Sequence, residues 1–421
     1  MVKNISTRID DDGHLILPPE VAQRLGLTPG SEVNIAAYEH QLSISRPLTS
    51  LSRVYVEITN QCNLNCATCM RNVWQVVPGQ MSLKTFGQIL EGIEAFSPRP
   101  EIFLGGYGEP ISNPDCLAMI DLAKARGLRV SLITNGILLT EAISKALIEL
   151  QLDMLWVSLD GASPECYSDV RLGNALPQII ANLKMLRAAR LWRFGSSPWA
   201  GSPRLGIAFV AMKRNIHDLA EVISLGTKLG AVEFSITNVL AHNPTLQNER
   251  LYRRAMNQVA SRHSQQWKPL IHIPRMDIEN GTAEAFIALL KSTDQLDLFG
   301  SLLDQNVDRC PFVERGSLAI RWDGKVSPCL PLLYTHAYYL GERQRCSQAY
   351  FVGDLAKDHL SEIWADPAYV SLRDRLQRFD FSPCTYCNSC EMANDNLEDC
   401  YGNTLPACGG CLWAQGLIRC P

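Results

Sequence analysis

Long apolar runs are missing from this 421-residue chain: none approaches the roughly 18 residues of a helical membrane span, and the mean hydropathy is −0.04. No membrane partner is expected. An excess of one charge is missing too. With 39 basic against 43 acidic residues, a formal charge of −4 and a pI near 6.1, the chain as a whole has no footprint for nucleic acid. The polar start Met1-Val2-Lys3-Asn4 lacks the apolar stretch of a secretory signal, which makes the cytoplasm the expected compartment. At 46% apolar and 19% charged, the composition is that of a soluble globular protein, neither disordered nor collagen-like. The length suggests two or three folding units and leaves room for an enzyme.

Cysteine is what the chain has in excess. Fifteen is an odd number that fits a disulfide framework poorly in a chain expected to stay in a reducing compartment. Cys62, Cys66 and Cys69 crowd together, Cys116 and Cys166 stand alone, and ten lie between Cys310 and Cys420. Thiols at short spacings in such a compartment point to metal, whereas the two isolated ones read as buried core residues.

Four segments are expected. Residues 1–48 read as short strands and turns around one small helix, with Asp12-Gly13 and Pro29-Gly30-Ser31 as turns. Within 51–240, apolar β-rich runs at Val54–Ile58, Ile102–Leu104, Val130–Ile133, Leu155–Leu159, Leu205–Val210 and Val232–Ile236 alternate with helical periodicity, such as Phe86, Ile89, Leu90, Ile93. Each connection is long enough to cross over to a parallel neighbour, so the fold class is α/β. Gly195 to Pro203 reads as an irregular insertion. A helical bridge is expected over 241–307, broken by Pro244, Pro269 and Pro274, and a metal-stabilised Cys-rich unit over 308–421.

The first run, Val54-Tyr55-Val56-Glu57-Ile58, leads directly into Thr59-Asn60-Gln61-Cys62-Asn63-Leu64-Asn65-Cys66-Ala67-Thr68-Cys69. Three thiols thus sit on the loop after the first strand, the face where parallel barrels assemble active sites. Three thiolates can hold three irons of a 4Fe-4S cluster and leave the fourth open to a small ligand; a zinc site or unrelated buried thiols is the competing reading.

Here the chain, from about Leu51 to Asn238, resembles the radical S-adenosylmethionine (SAM) superfamily, whose fold is a partial (β/α)6 TIM-like barrel with this cysteine spacing after its first strand. Gly105-Gly106-Tyr107-Gly108-Glu109-Pro110, Thr134-Asn135-Gly136 and Ser158-Leu159-Asp160-Gly161 match the family's strand ends. The resemblance implies that Cys62, Cys66 and Cys69 ligate the catalytic cluster and that Gly106, Tyr107, Gly108 and Glu109 form the turn meeting the methionine amino group. It likewise implies Ser158 and Arg171 for the cofactor carboxylate, and Asn135 or Asp160 for contacts near the ribose. One departure is Thr68, where many members carry an aromatic or large apolar residue. The implied chemistry is reductive cleavage of SAM to a 5'-deoxyadenosyl radical, in an anaerobic setting, with a low-potential electron donor such as ferredoxin or flavodoxin.

Among the later cysteines, Gly324-x4-Cys329, following Cys310, is similar to SPASM domains, which append two auxiliary iron-sulfur clusters. The candidate ligands are Cys310, Cys329, Cys346, Cys384, Cys387, Cys390, Cys400, Cys408, Cys411 and Cys420. Successive gaps after Cys384 of x2, x2, x9, x7, x2 and x8 depart from the common SPASM run, so ligands do not sort by spacing. Cys310 and Cys329 are the best candidates for the inner cluster, Cys384 and Cys387 for the outer; a zinc ribbon on Cys384, Cys387, Cys408 and Cys411 is the rival.

Residues 5 to 46 resemble the AbrB-type swapped-hairpin module, through Arg8-Ile9-Asp10, Gly13-His14-Leu15-Ile16-Leu17-Pro18 and Leu25-Gly26-Leu27. The resemblance implies an intertwined homodimer. Four basic against six acidic residues in 1–50 argue against DNA and for dimerisation or docking. The expected function is that of a radical SAM oxidoreductase acting as a maturase on a peptide, a protein or an enzyme-bound cofactor. The run Cys408-Gly409-Gly410-Cys411-Leu412-Trp413 resembles maturases of tungsten-containing aldehyde oxidoreductases. The alternatives are a ribosomal-peptide maturase forming thioether or carbon-carbon links and, in another class, an iron-sulfur redox-sensing regulator.

Overall fold

The structure is a computed structural model that describes residues 7–19, 21–22, 33–38, 41–45, 47–74, 76–164, 170, 175–195, 197, 201–252, 271–273, 296–298, 301–302, 309–385 and 390–421. Cys166, Arg171 and Cys387 lie outside the described residues. No helix among those described is long and apolar enough to cross a membrane.

The N-terminal segment contributes the antiparallel hairpin β1 (Asn34–Tyr38) and β2 (Gln41–Ser45), preceded by a tight turn at Asp10–Gly13 that brings Ile9 opposite Leu15. Six parallel strands follow: β3 (Arg53–Val56), β4 (Glu101–Leu104), β5 (Val130–Thr134), β6 (Met154–Ser158), β7 (Arg204–Ala211) and β8 (Ala231–Asn238). They lie side by side in chain order, as the alternating apolar runs require, with Val54 opposite Ile102 and Leu155 opposite Leu205.

Helices α1 (Leu83–Ile93), α2 (Cys116–Ala125), α3 (Glu141–Glu149), α4 (Leu176–Phe194) and α5 (Leu219–Lys228) make the crossovers. α1 starts where the Ser82 hydroxyl accepts the Thr85 N–H at 3.1 Å, one of the orphan donors of a first helical turn. Its buried face carries Phe86, Ile89, Leu90 and Ile93 at helical spacing. Each such side chain, fully buried, contributes about 1.5–3 kcal/mol.

Side-chain alternation along the strands divides the core. Val54, Val56, Ile102, Leu104, Leu155 and Val157 face the helices, with Cys116 of α2 packed among them as a core thiol. Tyr55, Phe103, Met154 and Trp156 face the other way and pack with Phe312, Leu333, Tyr334, Leu412, Trp413 and Ile418. The C-terminal region thus fills the concave side of the sheet.

In 241–307, expected as a helical bridge, the described residues form one short helix, α6 (Pro244–Asn248), and a small sheet of β9 (Ile271–Ile273), β10 (Leu296–Leu298) and β11 (Ser301–Leu302). After α7 (Pro311–Arg315), strand β12 (Ser317–Ile320) adds parallel to β3, Ser317 opposite Arg53, and closes that edge of the sheet. β13 (Lys325–Ser327) continues it antiparallel, the hairpin β14 (His336–Leu340) and β15 (Arg343–Ser347) stands apart, and β16 (Gly353–Asp354) ends the nine-stranded sheet. α8 (Leu360–Ala365) and α9 (Pro367–Arg378) then pack Leu360, Ile363 and Leu372 into the helix-side core, where a Cβ on Gly92 of α1 would collide with Leu360.

Candidate functional site

A cavity of about 290 Å³ opens at the carboxyl ends of the parallel strands. Cys62, Cys66 and Cys69 line it from the loop after β3, Gly106, Tyr107, Gly108 and Glu109 from the loop after β4, Asn135 from that after β5, and Ser158 from the end of β6. Residues gathered from these four separate stretches of sequence meet because parallel strands present all their carboxyl ends to one face. Thr68 lines it as well.

The cysteine loop is held by its own backbone. The Leu64 N–H donates to Cys62 Sγ at 3.4 Å, Cys69 N–H to the Cys66 carbonyl at 3.1 Å, and Asn72 Nδ2 to that same carbonyl at 2.8 Å. Burial raises the Cys62 and Cys69 thiols above their ordinary range, and the other cysteines of the trio push the same way. Cys62 and Cys69, as thiols that resist ionising, are poor free thiolates and good ligands, since a bound metal centre supplies the missing positive charge. The trio therefore fits an iron-sulfur cluster.

The turn after β4 must be glycine-rich for a reason internal to the protein. A Cβ on Gly108 would fall on the Thr59 carbonyl and 2.6 Å from that of Gln61; one on Gly106 would come within 2.6 Å of the Glu57 side chain. The close approach seats this turn directly on the strand that carries the cysteines. Glu109, only 2% exposed, then locks it to the next loop: its carboxylate accepts from Thr134 Oγ1 at 2.8 Å, the Asn135 N–H at 2.7 Å and the Ile111 N–H at 3.1 Å. Asn135 Nδ2 in turn reaches Asn63 Oδ1 at 2.8 Å and Cys62 Sγ at 3.8 Å.

Asp160 is placed elsewhere. It is fully buried, accepts the Val210 N–H at 2.8 Å, and does not line the cavity. Arg171 lies outside the described residues.

Several lining residues carry no sequence signal of their own: Arg71, Thr237, Val239, and Trp413 and Ile418 from the far C-terminus. Beneath the glycine turn lies another such group. Glu57 is fully buried and accepts from the Tyr107 N–H at 3.0 Å and from the Tyr334 hydroxyl. Burial, only partly offset by those hydrogen bonds and Arg321, pushes its carboxyl up to about 7. Trp74 stacks on Tyr334 with centroids 4.2 Å apart, and the Tyr107 hydroxyl donates to the Leu330 carbonyl at 3.2 Å, next to Cys329. Alternation puts Glu57 with Tyr55 on the concave side of the sheet, where the sequence pattern alone gives no hint of its partners.

The later cysteines sort by position. Cys329 is raised well above its ordinary value, first by burial and then by Cys310, Cys411 and Cys408; Cys408 is raised by burial, Cys411 and Cys310. These four thiols bear on one another, which brings the Cys408-x2-Cys411 pair near Cys310 and Cys329, and Cys411 bears on Cys420 as well. Cys420, pushed up to about 11 by burial, bears on Tyr55, while Cys384 is buried beside the Ser382 hydroxyl at 3.2 Å. Cys346 and Cys390 are half-buried, and Cys400 is exposed.

Comparison with known proteins agrees with this layout. Residues 56–198 match the family model of the radical SAM superfamily, and residues 310–391 that of the SPASM iron-sulfur cluster-binding domain. The chain carries a radical SAM domain and a SPASM domain. It is a radical SAM enzyme, and these domains imply 4Fe-4S clusters. Over 371 residues, 87% of this chain and 96% of the relative, it is 28% identical to the tungsten-containing aldehyde ferredoxin oxidoreductase cofactor-modifying protein of Pyrococcus furiosus. It is 29% identical over 178 residues to the mycofactocin maturase MftC of Mycobacterium tuberculosis, 42% of this chain and 41% of that one. Among solved structures, Streptococcus suis SuiB bound to S-adenosylmethionine superposes with a TM-score of 0.51 at 15% identity, over 84% of this radical SAM enzyme and 73% of SuiB, a likeness of fold.

Proposed function

We propose that this radical SAM enzyme is a maturase that cleaves SAM reductively in the cavity bounded by Cys62, Cys66 and Cys69 and uses the resulting radical to modify a protein-bound cofactor. The observation that carries this reading is the meeting of the three thiols with the Gly106–Glu109 turn, Asn135 and Ser158 around one cavity. When bound, a 4Fe-4S cluster with SAM supplies one-electron cleavage of a carbon-sulfur bond and a 5'-deoxyadenosyl radical. The protein's part is to hold and shield. Cys62, Cys66 and Cys69 supply three ligands. The Gly106–Glu109 turn and Ser158 hold the methionine end, Asn135 orients the sugar side through its bridge to Asn63, and Trp413 and Ile418 keep water from the floor. Arg171 remains a proposed carboxylate partner.

Cys310, Cys329, Cys408 and Cys411 hold one auxiliary cluster in this reading. A second draws on Cys346, Cys384, Cys387, Cys390, Cys400 and Cys420. The substrate is assigned to the cofactor of a tungsten-containing aldehyde oxidoreductase, supported by the P. furiosus relative, which is matched over nearly its whole length. A ferredoxin or flavodoxin delivers electrons in the cytoplasm, and the N-terminal hairpin module serves dimerisation.

Anaerobically reconstituted, reduced enzyme is expected to release 5'-deoxyadenosine and methionine from SAM, and Cys66→Ala to abolish the release. Co-expression with a tungsten aldehyde oxidoreductase is expected to change the mass of that enzyme's cofactor only when Cys66 is intact. An unchanged mass, with a crosslinked precursor peptide instead, would assign the substrate to ribosomal peptides.

A further inference from the structure

The hairpin of β14 and β15 turns Tyr338 and Arg345, which pair across it, toward the loop Cys408-Gly409-Gly410-Cys411. Arg345 is 2% exposed. Its Nη1 donates to the Ala393 carbonyl at 2.9 Å and its Nη2 to that of Ala407 at 3.3 Å, while the Tyr338 hydroxyl donates to the Gly410 carbonyl at 2.8 Å. The guanidinium lies flat against Gly410: a Cβ there would stand 2.6 Å from both Cζ and Nη1. Its contacts are therefore neutral carbonyls, and among the described residues no carboxylate lies within ion-pair distance of it.

A buried cation without an anion is a heavy cost that folded proteins avoid. The groups beside it that can carry negative charge are the thiols of Cys408 and Cys411, which bracket the Gly409-Gly410 stretch against which the guanidinium lies. Carbonyl hydrogen bonds alone satisfy the guanidinium's protons but not its charge. Thiolates bound to a metal centre would do so.

We propose that Arg345 is the buried counter-cation of an iron-sulfur centre held by Cys310, Cys329, Cys408 and Cys411, and that its fixed charge raises the reduction potential of that centre. This rests on the cluster reading of the four cysteines proposed above. Reduction brings one electron from a carrier of the ferredoxin or flavodoxin class; no bond breaks and no proton moves, so the centre becomes more negative by one unit. A positive charge at fixed distance stabilises the more negative state more than the less negative one. Arg345 acts through the ligands and is a positioning and tuning residue. Gly410 is the feature that admits it.

The test uses the full chain in a C62A/C66A/C69A background, so that only auxiliary centres remain, reconstituted anaerobically with iron and sulfide and titrated with redox mediators under EPR. Arg345→Met is expected to lower the reduced-to-oxidised ratio of one centre at fixed potential about tenfold, a shift of about 59 mV for one electron, while Arg345→Lys stays within about threefold of the parent. Adding Cys408→Ala should remove the signal that shifts. An unchanged potential in Arg345→Met with full iron content overturns the proposal, as does an equal shift in Arg345→Lys. Loss of the centre in Arg345→Met but not in Arg345→Lys supports it, whereas loss in both assigns the guanidinium to loop shape and overturns it. Absence of any cluster signal in the parent refutes the auxiliary-cluster reading itself, an outcome distinct from a cluster whose potential ignores Arg345.

Discussion

Glu57 sits five residues before Cys62, has no exposed surface, and holds both the glycine turn, through the Tyr107 N–H, and the C-terminal region, through the Tyr334 hydroxyl. Because burial raises its carboxyl to about 7, the folded chain keeps a proton that the unfolded chain has released once the pH exceeds the ordinary carboxylate value. The folded state then binds more protons than the unfolded, so this residue's contribution to stability falls as pH rises from about 4.5 to about 7 and is constant above. The size follows from the shift, about 3 kcal/mol as an upper bound. Glu57→Gln should flatten that part of the pH dependence in urea unfolding of the cluster-free chain; an unaltered slope would contradict the assignment. Nothing in Val54-Tyr55-Val56-Glu57-Ile58 discloses this role, since both partners lie far away in sequence. The cysteine trio, by contrast, was legible because its spacing lies within one loop.

At the scale of elements, the six strands and their crossovers could be read from sequence because a parallel strand buried on both faces leaves a dense apolar run, bounded by polar turns. Their observed bounds differ from the expected ones by one or two residues. β12 was not legible: Ser317–Ile320 is a short run whose partner, β3, lies some 260 residues earlier, and local pattern carries no information on such pairing. The strands within 241–307 are two or three residues long, too short for a period to register. α1 carries a quantitative expectation. Phe86 is fully buried at the centre of its inward face, so Phe86→Ala should cost about 3–5 kcal/mol in chemical unfolding, and a loss below about 1 kcal/mol would mean that the helix does not pack as described.

For the whole molecule, the notable arrangement is that the C-terminal region closes the site made by the barrel. Trp413 and Ile418 line the same cavity as Cys62, about 350 residues away in sequence, and the inward-facing Tyr55, Phe103 and Trp156 pack against that region. Cysteine-rich segments hide their packing from sequence because loops and metal ligands replace apolar periodicity. Trp413→Ala should therefore weaken SAM binding about tenfold, ~1.4 kcal/mol, in anaerobic equilibrium titrations without lowering iron content; an unchanged affinity would place the cofactor away from this wall.

The most direct measurement is the EPR spectrum of the reduced, reconstituted enzyme with and without SAM. The account requires SAM to change the signal of one cluster, and that cluster to be missing from the C62A/C66A/C69A variant. A spectrum indifferent to SAM, or one in which the triple variant responds like the parent, would contradict it.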